Sequence, residues 1–191
     1  MATDDAAPRW DGVNHLAMVT NDMDGTVRFY HGVLGMPLVA TIAVGPMRHY
    51  FFRLGRHSTL AFFEWDDTPI GTFEKPAGMP FTFPAQFDHV SFTLPDEAAL
   101  ETLRDRLRAH DVEVTRVVDH GFVRSVYFHD NNGIALEASW WVKDPTGAVD
   151  YGSDLFGDSD PVPAVGELLE TGEVSWTPTT HLAGSVAQDP A

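Results

Sequence analysis

Two eight-residue segments decide the fold: VNHLAMVT at residues 13–20 and FDHVSFTL at residues 87–94. Each segment alternates in the way that is typical of a β-strand, and each has a histidine at its third position. These histidines, His15 and His89, lie 74 residues apart. Similarity at a fixed offset indicates an internal repeat, so we expect one structural unit to occur twice.

The residues after each segment extend the repeat. A helix is predicted over residues 24–34, beginning near residues 21–22 and ending near Gly35, and a second over residues 97–110 with Asp96 as its N-cap. Three strands follow each helix, at residues 37–44, 47–54 and 58–65 and at residues 112–118, 122–129 and 133–140. The sequence therefore predicts an α+β fold of two tandem βαβββ modules that form a cleft around one metal site.

Composition divides the chain into segments around these modules. Module one is predicted at residues 10–66, and module two at residues 86–143. Residues 67–85 carry four prolines and two glycines and are interpreted as the linker. We expect residues 1–9 to be flexible, and residues 144–191 to form an acidic C-terminal extension, partly packed and partly disordered.

The charge balance limits the partners. The chain carries 28 acidic and 12 basic residues, a net charge of −16, which disfavours nucleic acid and anionic membranes. There is no apolar run of membrane-spanning length and no signal-peptide pattern at the start, so a cytoplasmic protein is expected. The absence of cysteine leaves histidine and carboxylate as metal ligands, a set that suits iron(II), manganese, nickel, cobalt or zinc.

Strand alternation places three metal-competent side chains, His15, His89 and Glu137, on faces that carry small or polar residues. The neighbours on those faces are Ala17 beside His15, Ser91 and Thr93 beside His89, and Ala135 and Ser139 beside Glu137. The opposite faces are apolar, as expected for strands covered by a helix. Two histidines and one carboxylate lining a cavity hold a divalent metal and leave positions open for substrate.

Glu64 is a possible fourth ligand. It follows His15 by 49 residues, close to the 48-residue spacing from His89 to Glu137. Its strand has large residues on both faces, so alternation does not decide where the carboxylate points. A charged residue at a strand end more often faces solvent, and both interpretations stay open.

The doubled module with His15, His89 and Glu137 resembles the glyoxalase, bleomycin-resistance and extradiol dioxygenase superfamily, the vicinal oxygen chelate proteins, over residues 10–141. The stretch HGFVRSVYFHDNNGIALE at residues 120–137 resembles the extradiol ring-cleavage signature, with Asn131 where that signature has proline. The stretch RHSTLAF at residues 56–62 resembles a strand of biphenyl-type extradiol enzymes.

The resemblance implies roles for individual residues. His15, His89 and Glu137 would hold iron(II), while His120 and Tyr127 would line the substrate side. The acid/base histidine of the family falls at Ser58 here, so His57 is the candidate for that role if the strand register shifts. His49, on the preceding strand, is another possible donor.

Three functions remain in competition. The first is an extradiol-type dioxygenase acting on a catechol or related aromatic diol with dioxygen. The second is a glyoxalase- or epimerase-like lyase or isomerase, in which Glu64 would move a proton. The third is a non-catalytic protein that binds an antibiotic. A homodimer is expected in each case, since relatives often dimerise.

Overall fold

The computed structural model describes residues 10–84 and 86–175. The chain divides into two compact units, with the boundary between Asp144 and Pro145. The flexible segment expected at residues 1–9 and the disorder expected in the last ten or so residues lie outside the described residues. Both predicted modules belong to the first unit.

Each module is one four-stranded sheet with one helix. The elements of module one are β1 (His15–Val19), α1 (Met23–Val27, continued by a π-helical segment over Arg28–Val33), β2 (Leu38–Val44), β3 (Met47–Arg53) and β4 (Thr59–Trp65). Those of module two are β5 (Val90–Thr93), α2 (Glu97–Ala109), β6 (Val118–Asp119), β7 (Val123–His129) and β8 (Ala135–Trp141). The strand orders are β1-β4-β3-β2 and β5-β8-β7-β6, and in each sheet the first strand runs parallel to the last. The predicted α+β fold of two tandem βαβββ modules is confirmed.

The helix starts agree with the predicted start near residues 21–22 and with the predicted N-cap at Asp96. The Asp22 carboxylate accepts a hydrogen bond from Gly25 N at 2.8 Å, and the Asp96 carboxylate accepts one from Ala99 N at 2.7 Å. These bonds satisfy backbone donors that have no partner within the helix. Gly35, after the first helix, adopts a positive φ of 74°, a conformation that glycine adopts at little cost.

One predicted strand is wrong over most of its length. Residues 112–118 contain only the first residue of β6, preceded by an isolated bridge between Val114 and Phe128. The cause lies at Thr115, between the bridge at Val114 and the start of β6. The Thr115 hydroxyl accepts a hydrogen bond from Tyr127 N at 3.0 Å. A side chain occupies the position of a backbone carbonyl there and interrupts the ladder.

The core lies on the helix-covered faces of both sheets, and one apolar cluster includes residues of both modules. Tyr30, Phe52, Phe62, Leu100, Leu107 and Leu136 are among its most buried members. Because strand residues alternate between faces, burial of this set leaves His15 and Glu137 on the other faces of their sheets. The core thereby determines which side of each sheet carries the candidate ligands.

Polar contacts join the two modules. The Tyr30 hydroxyl donates to Asp130 Oδ2 at 3.0 Å, and the Thr20 hydroxyl donates to Asn132 Oδ1 at 2.6 Å. Arg106 of α2 donates to the carbonyl oxygens of Gly32 and Val33, at the end of the π-helical segment. These bonds satisfy backbone and side-chain groups that the apolar core would otherwise leave without partners.

The second unit has no sheet within its described residues. It contains a short 3-10 turn (Asp154–Phe156) and α3 (Pro163–Thr171), which ends at Gly172 in the left-handed conformation. Tyr151 and Phe156 pack edge to face, with ring centroids 5.2 Å apart. In the described part of the chain, no helix is long and apolar enough to cross a membrane.

Candidate metal centre and active site

The outer face of the module-two sheet gathers two of the three predicted ligands. Ser91, Glu137 and Tyr127 are paired directly across β5, β8 and β7, so their side chains share this face. His89, just before β5, brings its Nε2 to 2.8 Å from Glu137 Oε2. The carboxylate of Glu137 is buried, and the Ser125 hydroxyl donates to its other oxygen. A nitrogen and an oxygen ligand thus converge on one point.

His120 and Tyr127 form a second pair on the same face. His120 Nε2 lies 2.9 Å from the Tyr127 hydroxyl, and the two rings meet at 86°. Burial raises the pKa of Tyr127, and the negative charge of Glu137 raises it further. The phenol therefore keeps its proton at neutral pH and can donate a hydrogen bond beside the ligand pair.

The residue before each predicted histidine ligand contacts its ring. Asn14 Oδ1 lies 2.8 Å from His15 Nδ1, and Asp88 Oδ1 lies 2.6 Å from His89 Nδ1. In both cases an oxygen acceptor holds Nδ1, which leaves Nε2 as the nitrogen that can bind a metal. The two contacts are equivalent, because Asn14 and Asp88 occupy the same position in the two copies of the repeat. The spacing of the histidines does not by itself indicate that the preceding residue contacts the ring.

The module-one sheet presents a different surface around His15. Strand register puts His15 on the same face as four aromatic residues, which we call the aromatic wall: His49, Phe51, Phe63 and Trp65. His49 stacks on Phe63 with ring centroids 3.6 Å apart, and Phe63 stacks on Trp65 at 5.4 Å. The His15 ring contacts Phe51 edge to face. The wall is a platform for a flat, apolar ligand.

His49, the other possible donor on β3, is partly buried within the aromatic wall. Its Nε2 is buried and, within the described residues, has no hydrogen-bond partner. Burial lowers the pKa of His49, and the nearby His15 lowers it further, so the ring is neutral at neutral pH. Alternation along β3 places His49 and Phe51 on one face, whereas Phe63 joins them only through the register of β3 with β4.

His15 does not join His89 and Glu137 in this chain. Among residues 10–84 and 86–175, no group of three histidine, aspartate or glutamate side chains converges as a metal site. His15 is exposed on β1, which lies at one edge of its sheet. A single chain thus brings together two of the three predicted ligands, together with Tyr127 and His120.

Glu64 lies on the opposite side of its sheet from His15. It is paired with Arg48 across β3 and β4, and its carboxylate accepts hydrogen bonds from Arg48 and from Met23 N, each at 2.9 Å. The position in module one that corresponds to Glu137 is Ala61, paired with Ala17 as Glu137 is paired with Ser91. Because the Glu64 side chain points to the opposite side of the sheet from His15, it does not serve as a fourth ligand beside that histidine.

His57 lies in the turn between β3 and β4, one residue before Ser58 and outside both strands, and its side chain is exposed. Leu54 N and Gly55 N both donate to Ser58 O, which closes the turn ahead of β4. The register shift that would turn His57 toward the His15 face does not occur. The structure does not bring His57 to the gathered residues.

The chain matches one family model over residues 12–149, that of the Glyoxalase/Bleomycin resistance protein/Dioxygenase superfamily. No curated protein matches the sequence. Among solved structures, a glyoxylase/bleomycin resistance protein/dioxygenase domain from Frankia sp. EAN1pec is similar, with a TM-score of 0.60 at 23% identity over 70% of this chain and 99% of that one.

Two further similar structures carry different functions. A lactoylglutathione lyase from Agrobacterium tumefaciens has a TM-score of 0.53 at 21% identity, covering 70% of this chain and 96% of that one. TnmS3, an antibiotic binding protein from Streptomyces sp. CB03234, has a TM-score of 0.54 at 17% identity, covering 71% and 99%. At these identities the likeness shows the fold alone.

Proposed function

We propose that this chain, which belongs to the glyoxalase/bleomycin resistance protein/dioxygenase superfamily, is a metal-dependent extradiol-type dioxygenase that cleaves a catechol or related aromatic diol with dioxygen. The observation that carries the proposal is the cluster on the β8 face. There the His89–Glu137 pair, 2.8 Å apart, lies beside the His120–Tyr127 pair, 2.9 Å apart. A metal-ligand pair and a proton-donor pair on one face suit the chelation of two substrate oxygens.

The residues of this cluster fit a divalent metal. A histidine nitrogen and a carboxylate oxygen converge, the other ring nitrogen of His89 is held by Asp88, and Glu137 is buried. We propose iron(II), with manganese, nickel, cobalt or zinc as alternatives. Such an ion would polarise the two oxygens of a chelating diol and, as iron(II), would also activate dioxygen.

The third ligand, His15, is proposed to come from a second copy of the chain. His15 is exposed, and its strand β1 is an edge strand, as is β5 beside His89. Edge strands present unpaired backbone groups that another strand can satisfy. A homodimer in which β1 of one protomer approaches β5 of its partner would place His15 beside the partner's His89. Sedimentation analysis tests this, and a monomer whose metal binding depends on His15 would contradict it.

The side chains around the ligand pair have defined tasks in this proposal. The Tyr127 phenol, which keeps its proton at neutral pH, donates a hydrogen bond to a substrate oxygen and stabilises the negative charge that develops there. His120 orients the Tyr127 hydroxyl through their 2.9 Å contact. The aromatic wall of the dimer partner would stack on the substrate ring and exclude water from it.

Of the two other functions, the structure lends support to one. The lyase or isomerase function loses its proton-moving carboxylate, because Glu64 is engaged by Arg48 and Met23 N on the other side of the sheet. Ligand binding without catalysis needs only the aromatic wall, whose stacked rings of His49, Phe63 and Trp65 form a surface for a flat molecule. It is the second candidate.

The test is metal content followed by oxygen uptake. Protein purified without chelators or a metal-binding tag is analysed for metal, loaded anaerobically with iron(II), and given a panel of catechols. We expect one metal per chain, oxygen consumption and a ring-cleavage product. Metal without oxygen uptake would contradict the dioxygenase proposal, and tight ligand binding without metal would favour the binding protein.

Two glutamate variants make the test specific. Glu137→Gln removes the proposed ligand charge and is expected to abolish stoichiometric metal. Glu64→Gln is the matched control, since it changes the same side chain at the equivalent spacing but on the helix-covered face. Equal metal content in the two variants would overturn the assignment of Glu137.

A further inference from the structure

The linker between the modules contributes a buried lysine whose position is not explained by the fold. The Lys75 side chain is 4% exposed, in a segment whose described residues form no helix or strand. A buried ammonium group is costly unless it is paired and hydrogen-bonded. Lys75 Nζ donates to Asp88 Oδ2 at 2.7 Å and to Pro76 O at 3.0 Å, and it lies 5.0 Å from the Phe81 ring centroid.

Asp88 connects this lysine to the proposed metal ligand. Its Oδ1 accepts hydrogen bonds from His89 Nδ1 at 2.6 Å and from Gly78 N at 2.7 Å, while its Oδ2 accepts from Lys75. All of these donors hold the carboxylate in one orientation.

A second hydrogen bond connects the linker to module two, through the backbone of Lys75. His129, at the end of β7, donates from its Nε2 to the carbonyl oxygen of Lys75 at 3.0 Å. Lys75 is thus bound through its side chain to Asp88, the residue before His89, and through its backbone carbonyl to His129 at the end of β7. In module one the position equivalent to Asp88 is Asn14, whose amide oxygen contacts His15 Nδ1. Because this amide is neutral, it needs no cation such as Lys75 beside it.

We propose that Lys75 and Asp88 are positioning residues for His89: the linker lysine holds the Asp88 carboxylate, which directs Nδ1 of His89 toward itself and Nε2 toward Glu137, and so sets the metal affinity of the centre. This inference rests on the proposed metal role of His89 and Glu137. Partners of this kind orient a ligand ring and typically change metal affinity by about 10- to 100-fold when removed.

The variants are chosen to avoid an unpaired buried charge. Asp88→Ala alone would leave the Lys75 ammonium buried without its counter-ion, a change expected to destabilise the fold. Lys75→Met keeps an apolar stem of similar length and leaves Asp88, whose side chain is 44% exposed, in contact with water. The double variant Lys75→Met/Asp88→Asn removes both charges together. Asp24→Asn is the matched control, because it removes an exposed ion-paired carboxylate on α1, bonded to Arg28.

The first readout is cobalt(II) affinity, measured by titration of metal-free protein with competition by a chelator. We expect the double variant to bind about 10- to 100-fold more weakly than wild type, the Lys75→Met variant to lie between them, and Asp24→Asn to equal wild type. Wild-type affinity in the double variant, with its unfolding midpoint unchanged, would overturn the inference. Absence of cobalt binding in wild type would instead contradict the proposed metal centre.

The second readout needs no metal. A one-bond ¹H–¹⁵N spectrum of metal-free protein detects the proton on His89 Nδ1 when it is protected from exchange, as we expect in wild type from its 2.6 Å contact with Asp88. We expect that protection to fall in the double variant and to persist in Asp24→Asn. Equal protection in wild type and the double variant would overturn the positioning role even if the centre binds no metal.

Discussion

If His15 and the His89–Glu137 pair come from different protomers, two inactive variants should complement each other. His15→Ala removes the ligand of module one, and Glu137→Gln removes a ligand of module two. Each homodimer then has two incomplete centres. In a heterodimer of the two variants, one centre combines the intact His15 of the Glu137→Gln chain with the intact pair of the His15→Ala chain, and the other centre lacks both ligands.

The expected recovery of metal and activity follows from the proposed arrangement of the ligands, in which one protomer supplies His89 and Glu137 and the other supplies His15. Random pairing gives about half heterodimers, and each has one complete centre of two, so an equimolar mixture recovers about one quarter of the wild-type metal and activity. Purification of heterodimers through two different tags raises the expected value to about half of wild type per dimer. Each variant alone should remain near zero.

The reciprocal combination provides the control. A chain carrying both His15→Ala and Glu137→Gln, paired with wild type, forms heterodimers with no complete centre if the ligands come from two protomers. If one chain supplies all three ligands, that heterodimer keeps about half of the wild-type metal, and the pair of single variants keeps none. Metal analysis and oxygen uptake of the two tag-purified heterodimers therefore give opposite results, and the second pattern would refute the shared centre.

Three further predictions follow from single contacts. Tyr127→Phe removes the phenol bonded to His120 and should lower turnover by about 100-fold at unchanged metal content; unchanged steady-state turnover would exclude Tyr127 from the mechanism. Glu64→Gln should lower the free energy of unfolding by about 1 kcal/mol in urea, because it weakens the bond from Arg48. Burial raises the pKa of Tyr30 well above 10, so wild-type stability should be complete below pH ~10 and fall as pH rises further; Tyr30→Phe should flatten this loss in denaturant unfolding, and an identical alkaline loss would contradict it.

Local pattern predicted much of the molecule. The alternation in residues 13–20 and 87–94 identified the first strands of both modules, and the polar residues at 22 and 96 identified the helix starts. These features depend on neighbours within a few residues along the chain, which is the range that alternation and capping report. The same alternation assigned His89 and Glu137 to the small-residue faces of their strands, and the register of β5 with β8 brings the two side chains within 2.8 Å of each other.

Two predictions from the sequence pattern were wrong, one for a strand and one for the position equivalent to Glu137. The threonine hydroxyl at Thr115 interrupts the β6 ladder, although residues 112–118 have the composition of a strand. A similar spacing suggested that Glu64 corresponds to Glu137, whereas the register places Ala61 there. Sequence distance counts residues in the turns as well as in the strands, so two similar spacings can end on opposite faces.

The sequence by itself determined the repeat, most elements of each module and the strand faces on which His15 and Glu137 lie, because these depend on the local period of side-chain direction. Only the tertiary structure decided that His15 stands apart from His89 and Glu137, that His49 joins an aromatic wall, and that Lys75 reaches Asp88 from the linker. Those arrangements depend on strand register, on the packing of one module against the other and on the path of a segment with no regular structure. No periodicity in the chain encodes them, since each brings together residues whose separation along the sequence carries no repeating signal.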